Sequence, residues 1–368
     1  MRKYKIVVWG TGMVGQYALR FLLPNKHLQL AGVKCHSPAK VGRDAVDLSG
    51  VRGASTGIKA TNNVDEILAL NADCVIYAPF DPLTDPSVPG SPSSAWVPDL
   101  LRLLQSGKSV IATMLSIAHW RHLKYGETFR AQITAACLEG NSTFFATGID
   151  PGFTPDAIAF ALSGIVGQVT QVNTWEVLDY GPYPIADPLK ALGFGSRPEN
   201  MSGDGLDTIR TCWGGCPHLL ADAFGVTLDG LRVEGDISLA KETFTSEGGL
   251  RIEKGTIEAL KFKVIGSVDA RDRFIVNHIT RMGLAAAPHW RQIGRDGGYG
   301  IEIDGYPPFK GEFPFGWQGG TGASWSDAMV MTSARCVNSI EPVVLAPPGY
   351  KTFLDLPPLG GRYALRDE

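Results

Sequence analysis

A strand, a glycine-rich loop and a helix follow one another at the amino terminus of this chain. Apolar residues at positions 6–9 lead into the spacing G-x-G-x-x-G at positions 10–15, and apolar residues then recur at helical spacing over positions 17–23. In this context the first glycine allows a tight turn, the second lets backbone approach a pyrophosphate, and the third lets the helix pack on the strand. The free N–H groups of the helix N-terminus also favour an anion. The sequence therefore predicts a dinucleotide site that includes Gly10, Thr11, Gly12, Met13 and Val14.

The chain has 368 residues and a formal net charge of −3. This length exceeds what one hydrophobic core usually supports, so two domains are expected. The weak negative charge argues against nucleic acid or an anionic membrane surface as a partner. Because the sequence has no run of about 18 apolar residues, no membrane-spanning helix is expected. No secretory leader is recognised at the amino terminus.

The six cysteines are scattered along the chain. Cys212 and Cys216 lie close together, but no second Cys or His pair accompanies them. We therefore expect buried free thiols and no metal site. Free thiols in a chain without a recognised leader favour the reducing cytoplasm as its location.

Strand-like and helix-like segments alternate over the first 150 residues, which is typical of a doubly wound parallel sheet of the Rossmann type. Beyond this point the pattern changes to one helix and long β-rich stretches joined by short turns, which indicate antiparallel pairing. We expect an α/β Rossmann domain at residues 1–150. An α+β domain with a mostly antiparallel open sheet, for substrate binding and oligomerisation, is expected at 151–325. A C-terminal helix and tail at 326–368 are expected to return to the Rossmann domain.

The end of the second predicted strand bears on the choice of cofactor. A site selective for NAD usually carries an acidic residue about twenty positions beyond the glycine loop, where it binds the ribose 2′-OH. No acid occurs at positions 33–37 here, and His36, Ser37 and Lys40 instead offer donors and positive charge to a 2′-phosphate. The sequence favours NADP, with NAD as the alternative, and Lys40 could also belong to a solvated turn.

Other residues are expected on the nicotinamide side of the site. Ala78, Pro79 and Thr113 follow predicted parallel strands, at the sheet edge where ligands bind in open α/β folds. Asp150 opens an Asp-Pro-Gly turn where the chain leaves the first domain. It is expected either to fix the geometry over the nicotinamide or to serve as a plain hinge.

Several segments together resemble the dihydrodipicolinate-reductase-like superfamily, most closely 2,4-diaminopentanoate dehydrogenase and the native amine dehydrogenases. The segments are the glycine loop, residues 33–44, the turn at 147–153 and, in the tail, residues 337–340 and 346–349. The resemblance implies a Rossmann domain, an open-sheet substrate domain, a homodimer and reductive amination of a carbonyl, or its reverse, with NAD(P)H. The tail segment adds Asn338 to the expected cofactor contacts.

The family resemblance also implies a catalytic glutamate shortly after the fifth strand. The matching segment, residues 109–120, contains no carboxylate but does contain His119. In the second domain, Glu176 and Tyr180 would share one face of a strand, with Tyr183 in the turn that follows. His119, Glu176 and Tyr180 are therefore the candidates for proton transfer, and each could instead have a purely structural role.

These features predict an NAD(P)H-dependent oxidoreductase that transfers hydride to or from a carbonyl or imine, with a ketone, alcohol or amine as substrate. A dense group of aromatic residues between positions 289 and 325 indicates a fairly apolar small molecule, if some of them line the pocket. The alternative is a non-catalytic NADP(H)-binding sensor or structural protein that has lost the family's glutamate.

Overall fold

The computed structural model describes residues 3–201, 204–315 and 324–365. Within these residues the strands are β1 Tyr4–Trp9, β2 Leu28–Lys34, β3 Ala60–Thr61, β4 Cys74–Tyr77, β5 Ser109–Ala112, β6 Thr143–Ala146, β7 Gln168–Asp179, β8 Gly230–Leu239, β9 Phe244–Thr245, β10 Arg251–Ile252, β11 Ile257–Val268, β12 Arg271–Arg281, β13 Gly297–Tyr306, β14 Phe309–Pro314 and β15 Gly349–Lys351. The α-helices are α1 Met13–Leu22, α2 Ala45–Ser49, α3 Val64–Ala69, α4 Val97–Gln105, α5 Gly126–Gly140, α6 Ala157–Ser163, α7 Ala186–Ala191, α8 Asp204–Trp213, α9 Gly215–Ala223, α10 Ser324–Asn338 and α11 Ile340–Leu345.

The chain forms two compact units. The first unit comprises Met1–Asp81, Asp85–Ile149 and Met329–Glu368, and the second comprises Pro82–Thr84 and Asp150–Ala328. No helix in the described part of the chain is both long and apolar enough to cross a membrane. All six cysteines lie in described segments, where they are buried and free of disulfides.

The first unit is built on a parallel sheet, whose described strands have the order β15-β6-β5-β4-β1-β2-β3. Alternate residues of β1 enter different cores, because successive side chains of a strand point to opposite faces. Ile6 and Val8 pack with residues of α1, α2, α10 and α11, whereas Val7 and Trp9 pack with residues of α4 and α5. Helices therefore cover both faces, and the prediction of a doubly wound α/β sheet is confirmed.

The second unit contains a mixed sheet, whose described strands have the order β14-β13-β7-β12-β11-β8. Only β7 and β12 run parallel among these pairs, and the other neighbours are antiparallel. The prediction of an α+β unit with a mostly antiparallel sheet is therefore confirmed. Ala159 of α6 and Leu220 of α9 pack with Val172, Phe274 and Ile301 of the sheet. The long central strands β7, β12 and β13 carry the polar residues described below.

Candidate functional site

The glycine loop between β1 and α1 has the geometry that its spacing predicts. Gly10 has φ +103°, and a Cβ atom there would lie 2.0 Å from the carbonyl oxygen of Ala78. A Cβ at Gly15 would lie 1.9 Å from the carbonyl oxygen of Gly10. A Cβ at Gly12 would meet nothing within 4 Å. Gly10 and Gly15 thus permit close backbone packing, while Gly12 leaves open space at the start of α1, where a pyrophosphate fits.

The turn after β2 is joined to this loop by Lys40. Its Nζ donates a hydrogen bond of 2.6 Å to the carbonyl oxygen of Thr11. His36 and Ser37 are exposed in the same turn. The structure therefore brings Lys40 to the glycine loop and leaves two further polar side chains facing solvent near it.

Asp44 is the nearest acidic residue after this turn, and its carboxylate is hydrogen-bonded to residues of its own loop. Its buried carboxylate accepts hydrogen bonds from the Val46, Thr56 and Gly57 amides and from the Ser55 hydroxyl. The Ser55 hydroxyl, helped by these amides, holds the pKa of Asp44 well below its usual range. Asp44 therefore holds residues 55–57 against the start of α2 rather than offering a free carboxylate to a ribose.

The remaining candidates for cofactor contact fall into two groups. Ala78, Pro79 and Thr113 follow β4 and β5 at the carboxyl edge of the sheet, with the Ala78 amide donating to the Trp9 carbonyl at 2.8 Å. Asn338 does not join them. It lines a cavity of about 490 Å³ with Leu28, a residue at the amino-terminal end of β2 and so at the opposite edge of the sheet. Asn338 is the last residue of α10, and its position in the sequence did not indicate at which edge of the sheet it lies.

In the second unit, a row of four side chains crosses the sheet. Strand pairing places Glu176 of β7 beside Tyr299 of β13 on one side and His278 of β12 on the other. His278 is in turn paired with Phe262 of β11. Directly opposed residues on neighbouring strands have their side chains on the same face. The backbone register alone therefore brings together groups that are far apart in the sequence.

The polar members of this row and Asp150 form one network, which we call the Asp–His–Glu cluster (Asp150, His278 and Glu176). Nδ1 of His278 lies 3.3 Å from Oε1 of Glu176, and its Nε2 lies 3.5 Å from Oδ2 of Asp150. The Tyr299 hydroxyl donates to Oε2 of Glu176 at 3.1 Å. Nε1 of Trp213 donates to Oδ1 of Asp150 at 2.9 Å. The imidazole thus lies between two carboxylates, and each carboxylate has a further neutral donor.

Burial governs the protonation of the cluster. The side chains of Asp150, Glu176 and His278 are 3%, 6% and 1% exposed. This burial raises the pKa of Asp150 and of Glu176 to about 8 and lowers the pKa of His278, which the Asp150 carboxylate opposes. A neutral imidazole has one N–H and can donate to only one carboxylate. The cluster therefore keeps at least one additional proton at neutral pH, on a carboxyl group or on the ring.

The structure also shows the surroundings of the tyrosine candidates. Tyr180 follows β7, and its ring meets that of Tyr183 edge-on, with centroids 5.7 Å apart. Burial, and then the charge of Glu176, raises the pKa of Tyr180 well above its usual value. Its hydroxyl therefore stays protonated at neutral pH. Of the residues proposed from sequence, the second unit thus gathers Glu176, Tyr180 and Asp150 around one cluster.

His119 has a different environment, in the first unit. Its side chain is fully buried and its ring stacks on Trp120 at 4.2 Å. Nδ1 accepts a hydrogen bond from the Arg121 amide at 3.1 Å. His119 belongs to the first unit, whereas Glu176 and Tyr180 belong to the second.

The donor atoms of Asp150, Glu176 and His278 lie within 4.8 Å of one another, so a divalent ion could contact all three. A histidine coordinates an ion through one ring nitrogen. Here, however, Nδ1 lies 3.3 Å from Glu176 and Nε2 lies 3.5 Å from Asp150 without a hydrogen bond, so each ring nitrogen is adjacent to a different carboxylate. We interpret the cluster as a proton-sharing network.

Sequence reasoning missed His278 and Trp213, and it grouped Tyr299 only with the late aromatic residues. One signal was present for the histidine, since the polar pair Asn277-His278 interrupts the apolar run at positions 274–279. Sequence reasoning also left open which face of β7 carries the chemistry. Trp175 lies on the other face, where the Arg291 guanidinium stacks over its ring at 4.3 Å.

No family model matches the chain. A curated amine dehydrogenase from Streptomyces virginiae is 32% identical over 355 residues, which is 95% of each chain. The solved structure of an amine dehydrogenase from Mycobacterium smegmatis aligns with a TM-score of 0.75 at 20% identity, over 98% of this chain and 97% of that one. GenD2 from gentamicin A biosynthesis, solved in complex with NAD, aligns with a TM-score of 0.52 at 14% identity, over 94% of this chain and 87% of that one.

The two solved structures support the fold, and the curated relative identifies the family because its identity extends over nearly the whole chain. The resemblance inferred from the glycine loop, the 33–44 segment and the tail is thereby confirmed. The chain belongs to the amine dehydrogenase family and is an oxidoreductase that uses a nicotinamide cofactor.

Proposed function

We propose that the protein catalyses the reductive amination of a ketone, and the reverse oxidative deamination of an amine, with Glu176 exchanging protons with the substrate. The observation that carries this proposal is the buried Glu176 carboxyl group, whose pKa is raised to about 8 within the Asp–His–Glu cluster. The name of the curated relative, an amine dehydrogenase, supports the same reaction.

Reductive amination needs a group that can both donate and accept a proton. Ammonia adds to the carbonyl, the hydroxyl of the adduct leaves as water, and the resulting iminium carbon receives a hydride. When bound, the reduced nicotinamide supplies this hydride. A carboxyl group with a pKa near the working pH can protonate the leaving hydroxyl and accept a proton from nitrogen. Glu176 thus takes the role of the glutamate that the family carries after the fifth strand, and the Tyr180 hydroxyl, which keeps its proton, serves as a second hydrogen-bond donor.

The charge of the cluster favours amine over alcohol chemistry. Because the pKa values of Asp150 and Glu176 are both raised to about 8, the cluster gains its first negative charge as pH rises toward that value. A buried negative charge stabilises a neighbouring cation, because water screens it little. An iminium or ammonium group is cationic, whereas a ketone or alcohol is neutral. The cluster therefore selects for nitrogen substrates.

Consumption of NADPH tests this function directly. The purified protein is expected to oxidise NADPH with a panel of ketones only when ammonia is added, and to reduce NADP⁺ with the matching amines. Turnover of ketones without ammonia would indicate alcohol chemistry. Binding of NADPH with no turnover under any of these conditions would support the non-catalytic alternative and contradict the proposal.

We also propose that NADP is preferred over NAD. The Lys40 side chain at the glycine loop, the exposed His36 and Ser37, and the commitment of Asp44 to its own loop support this preference. Lys40 and its neighbours would hold the 2′-phosphate, and Gly12 with the α1 N-terminus would hold the pyrophosphate.

Lys40→Ala should therefore weaken NADPH binding more than NADH binding. A charge-assisted hydrogen bond contributes about 1.5–3 kcal/mol, which corresponds to a loss of roughly 10- to 160-fold in affinity for NADPH. Calorimetric titration of both reduced cofactors measures the ratio. Lys26→Ala removes the same charge from the exposed residue before β2 and is the matched control. If Lys40→Ala loses affinity for NADH and NADPH by the same factor, Lys40 does not contact the 2′-phosphate.

We also propose an apolar substrate, a homodimer and a cytoplasmic location. Phe315 packs edge-on against Tyr299, with centroids 4.9 Å apart, which supports an apolar substrate near Glu176. Exposed Tyr306 and Phe313 on β13 and β14 support a homodimer, which sedimentation velocity can test. The six buried thiols are consistent with a reducing cytoplasm.

A further inference from the structure

We propose that His278 is a proton-transfer bridge through which Asp150 and Glu176 exchange a proton during turnover. Asp150 is then the second proton holder of the site, and Glu176 is the group that meets the substrate. This inference rests on the proposed role of Glu176 and adds a relay behind it.

The geometry of the ring supports a bridge. Nδ1 of His278 faces Glu176 at 3.3 Å and Nε2 faces Asp150 at 3.5 Å. The ring packs against two aromatic rings that also contact each other, since it stacks on Phe262 at 4.6 Å with an interplanar angle of 8° and meets Trp213 at 4.6 Å. The aromatic neighbours thus fix the ring plane, and Nε2, which has no hydrogen-bond partner among the described residues, has Oδ2 of Asp150 as its adjacent carboxylate oxygen.

The proposed proton transfer from Asp150 to Glu176 leaves the total charge of the Asp–His–Glu cluster unchanged. In one state Asp150 is protonated, its hydroxyl donates to Nε2, and the Nδ1–H of the neutral ring donates to ionised Glu176. In the other state the O–H bond of Asp150 and the Nδ1–H bond are broken, and an Nε2–H bond and an O–H bond on Glu176 have formed. The cluster carries one negative charge in both states. Exchange therefore avoids the large cost of creating a new buried charge.

Three other titratable groups near the cluster in the described part of the chain keep their protons at neutral pH and so do not compete with His278 as the link between the two carboxyl groups. Burial raises the pKa values of Tyr180, Tyr299 and Cys216 well above their ordinary values, so these groups stay protonated. Asp156 accepts two backbone amides and adds negative charge near Asp150, which favours a proton there. The Trp213 and Tyr299 donors hold the outer oxygens of the two carboxylates in place.

Chemical rescue tests the bridge. His278→Gly removes the imidazole and leaves a space beside the contacting rings of Phe262 and Trp213. We expect kcat for deamination to fall about 100-fold, as for loss of a proton-transfer group. Added imidazole should restore at least about a tenth of the kcat that the substitution removes. Thiazole should not restore it, because the thiazole ring has a similar size but no N–H. Equal rescue by both rings would show a packing role and overturn the bridge, as would a folded variant that imidazole does not rescue.

A second variant decides the matter if His278→Gly fails to fold. Asp150→Asn keeps the side-chain volume and removes one proton holder. We expect the pH profile of kcat to lose one of its ionisations, while the activity that remains still requires ammonia. An unchanged pH profile would overturn the relay alone, whereas a wild-type protein without ammonia-dependent turnover would overturn the proposed function itself. A stoichiometric divalent metal in the purified protein, lost in Asp150→Asn, would also contradict the bridge.

Discussion

Glu176→Gln should lower kcat for both reductive amination and oxidative deamination by about 100- to 10,000-fold, the usual contribution of a positioned acid or base. The amide keeps the shape of the side chain and can still accept the Tyr299 hydrogen bond, but it cannot release or take up a proton. The dissociation constant for NADPH should change little, because the glycine loop and Lys40 belong to the first unit. Steady-state kinetics and calorimetry on the same preparation measure both quantities.

A matched control is available on the neighbouring strand. Glu302 of β13 forms ion pairs with Arg291 and Lys310 and lies outside the Asp–His–Glu cluster. Glu302→Gln should keep kcat within about twofold, since exposed or half-exposed ion pairs contribute about 1 kcal/mol or less to stability. If Glu176→Gln turns over as fast as Glu302→Gln, Glu176 is not the proton-transfer group.

The raised pKa of Glu176 also sets the direction of the pH dependence. The protonated carboxyl group is the acid that amination needs, so kcat for amination should fall as pH rises through about 8. The ionised form is the base that deamination needs, so kcat for deamination should rise over the same range. Because the cluster shares its protons, the midpoint belongs to the group as a whole. Glu176→Gln should remove this inflection from the residual activity.

The second large effect concerns the fold of the glycine loop. Gly10→Ala and Gly15→Ala should each destabilise the protein by about 3 kcal/mol or more, because the new Cβ overlaps backbone carbonyl atoms that cannot move aside. At Gly10 the positive φ adds strain. Gly12→Ala has room for its Cβ and should leave unfolding unchanged, yet it should weaken cofactor binding, because the methyl group occupies the space over the α1 N-terminus.

Thermal unfolding with and without NADPH separates these three variants. Gly10→Ala and Gly15→Ala should unfold at a lower temperature even without cofactor. Gly12→Ala should unfold like the wild type alone but gain less stability from added NADPH, since bound ligand stabilises in proportion to its affinity. A Gly12→Ala protein that NADPH stabilises fully would contradict the assignment of the pyrophosphate to this loop.

The sequence was sufficient for the parts of the structure that depend on local order. The G-x-G-x-x-G spacing determined the turn, and the alternation of strands and helices determined the parallel sheet. The period of two along β7 was enough to separate Glu176 from Trp175, which lie on opposite faces of the strand. These features follow from neighbours in the chain, so they can be read without knowing the strand pairing.

The Asp–His–Glu cluster could not be found in this way. His278 meets Glu176 because β12 pairs with β7 in a parallel register, and nothing in either segment states that register. Trp213 comes from α8, in a part of the chain for which no element was predicted. Asp150 was predicted to be a cofactor contact or a hinge because its neighbours in the sequence are turn residues. The residues that contact its carboxylate, Trp213 and His278, lie far along the sequence.

The row Tyr299–Glu176–His278–Phe262 has a consequence for how this enzyme can change. Each of its members sits opposite the next in a hydrogen-bonded ladder, so a one-residue insertion or deletion inside β7 would turn Glu176 to the face of Trp175. The pairing of the strands therefore determines the relative positions of these side chains. New substrates are best sought by altering loop residues, where length and shape can vary without shifting the strands.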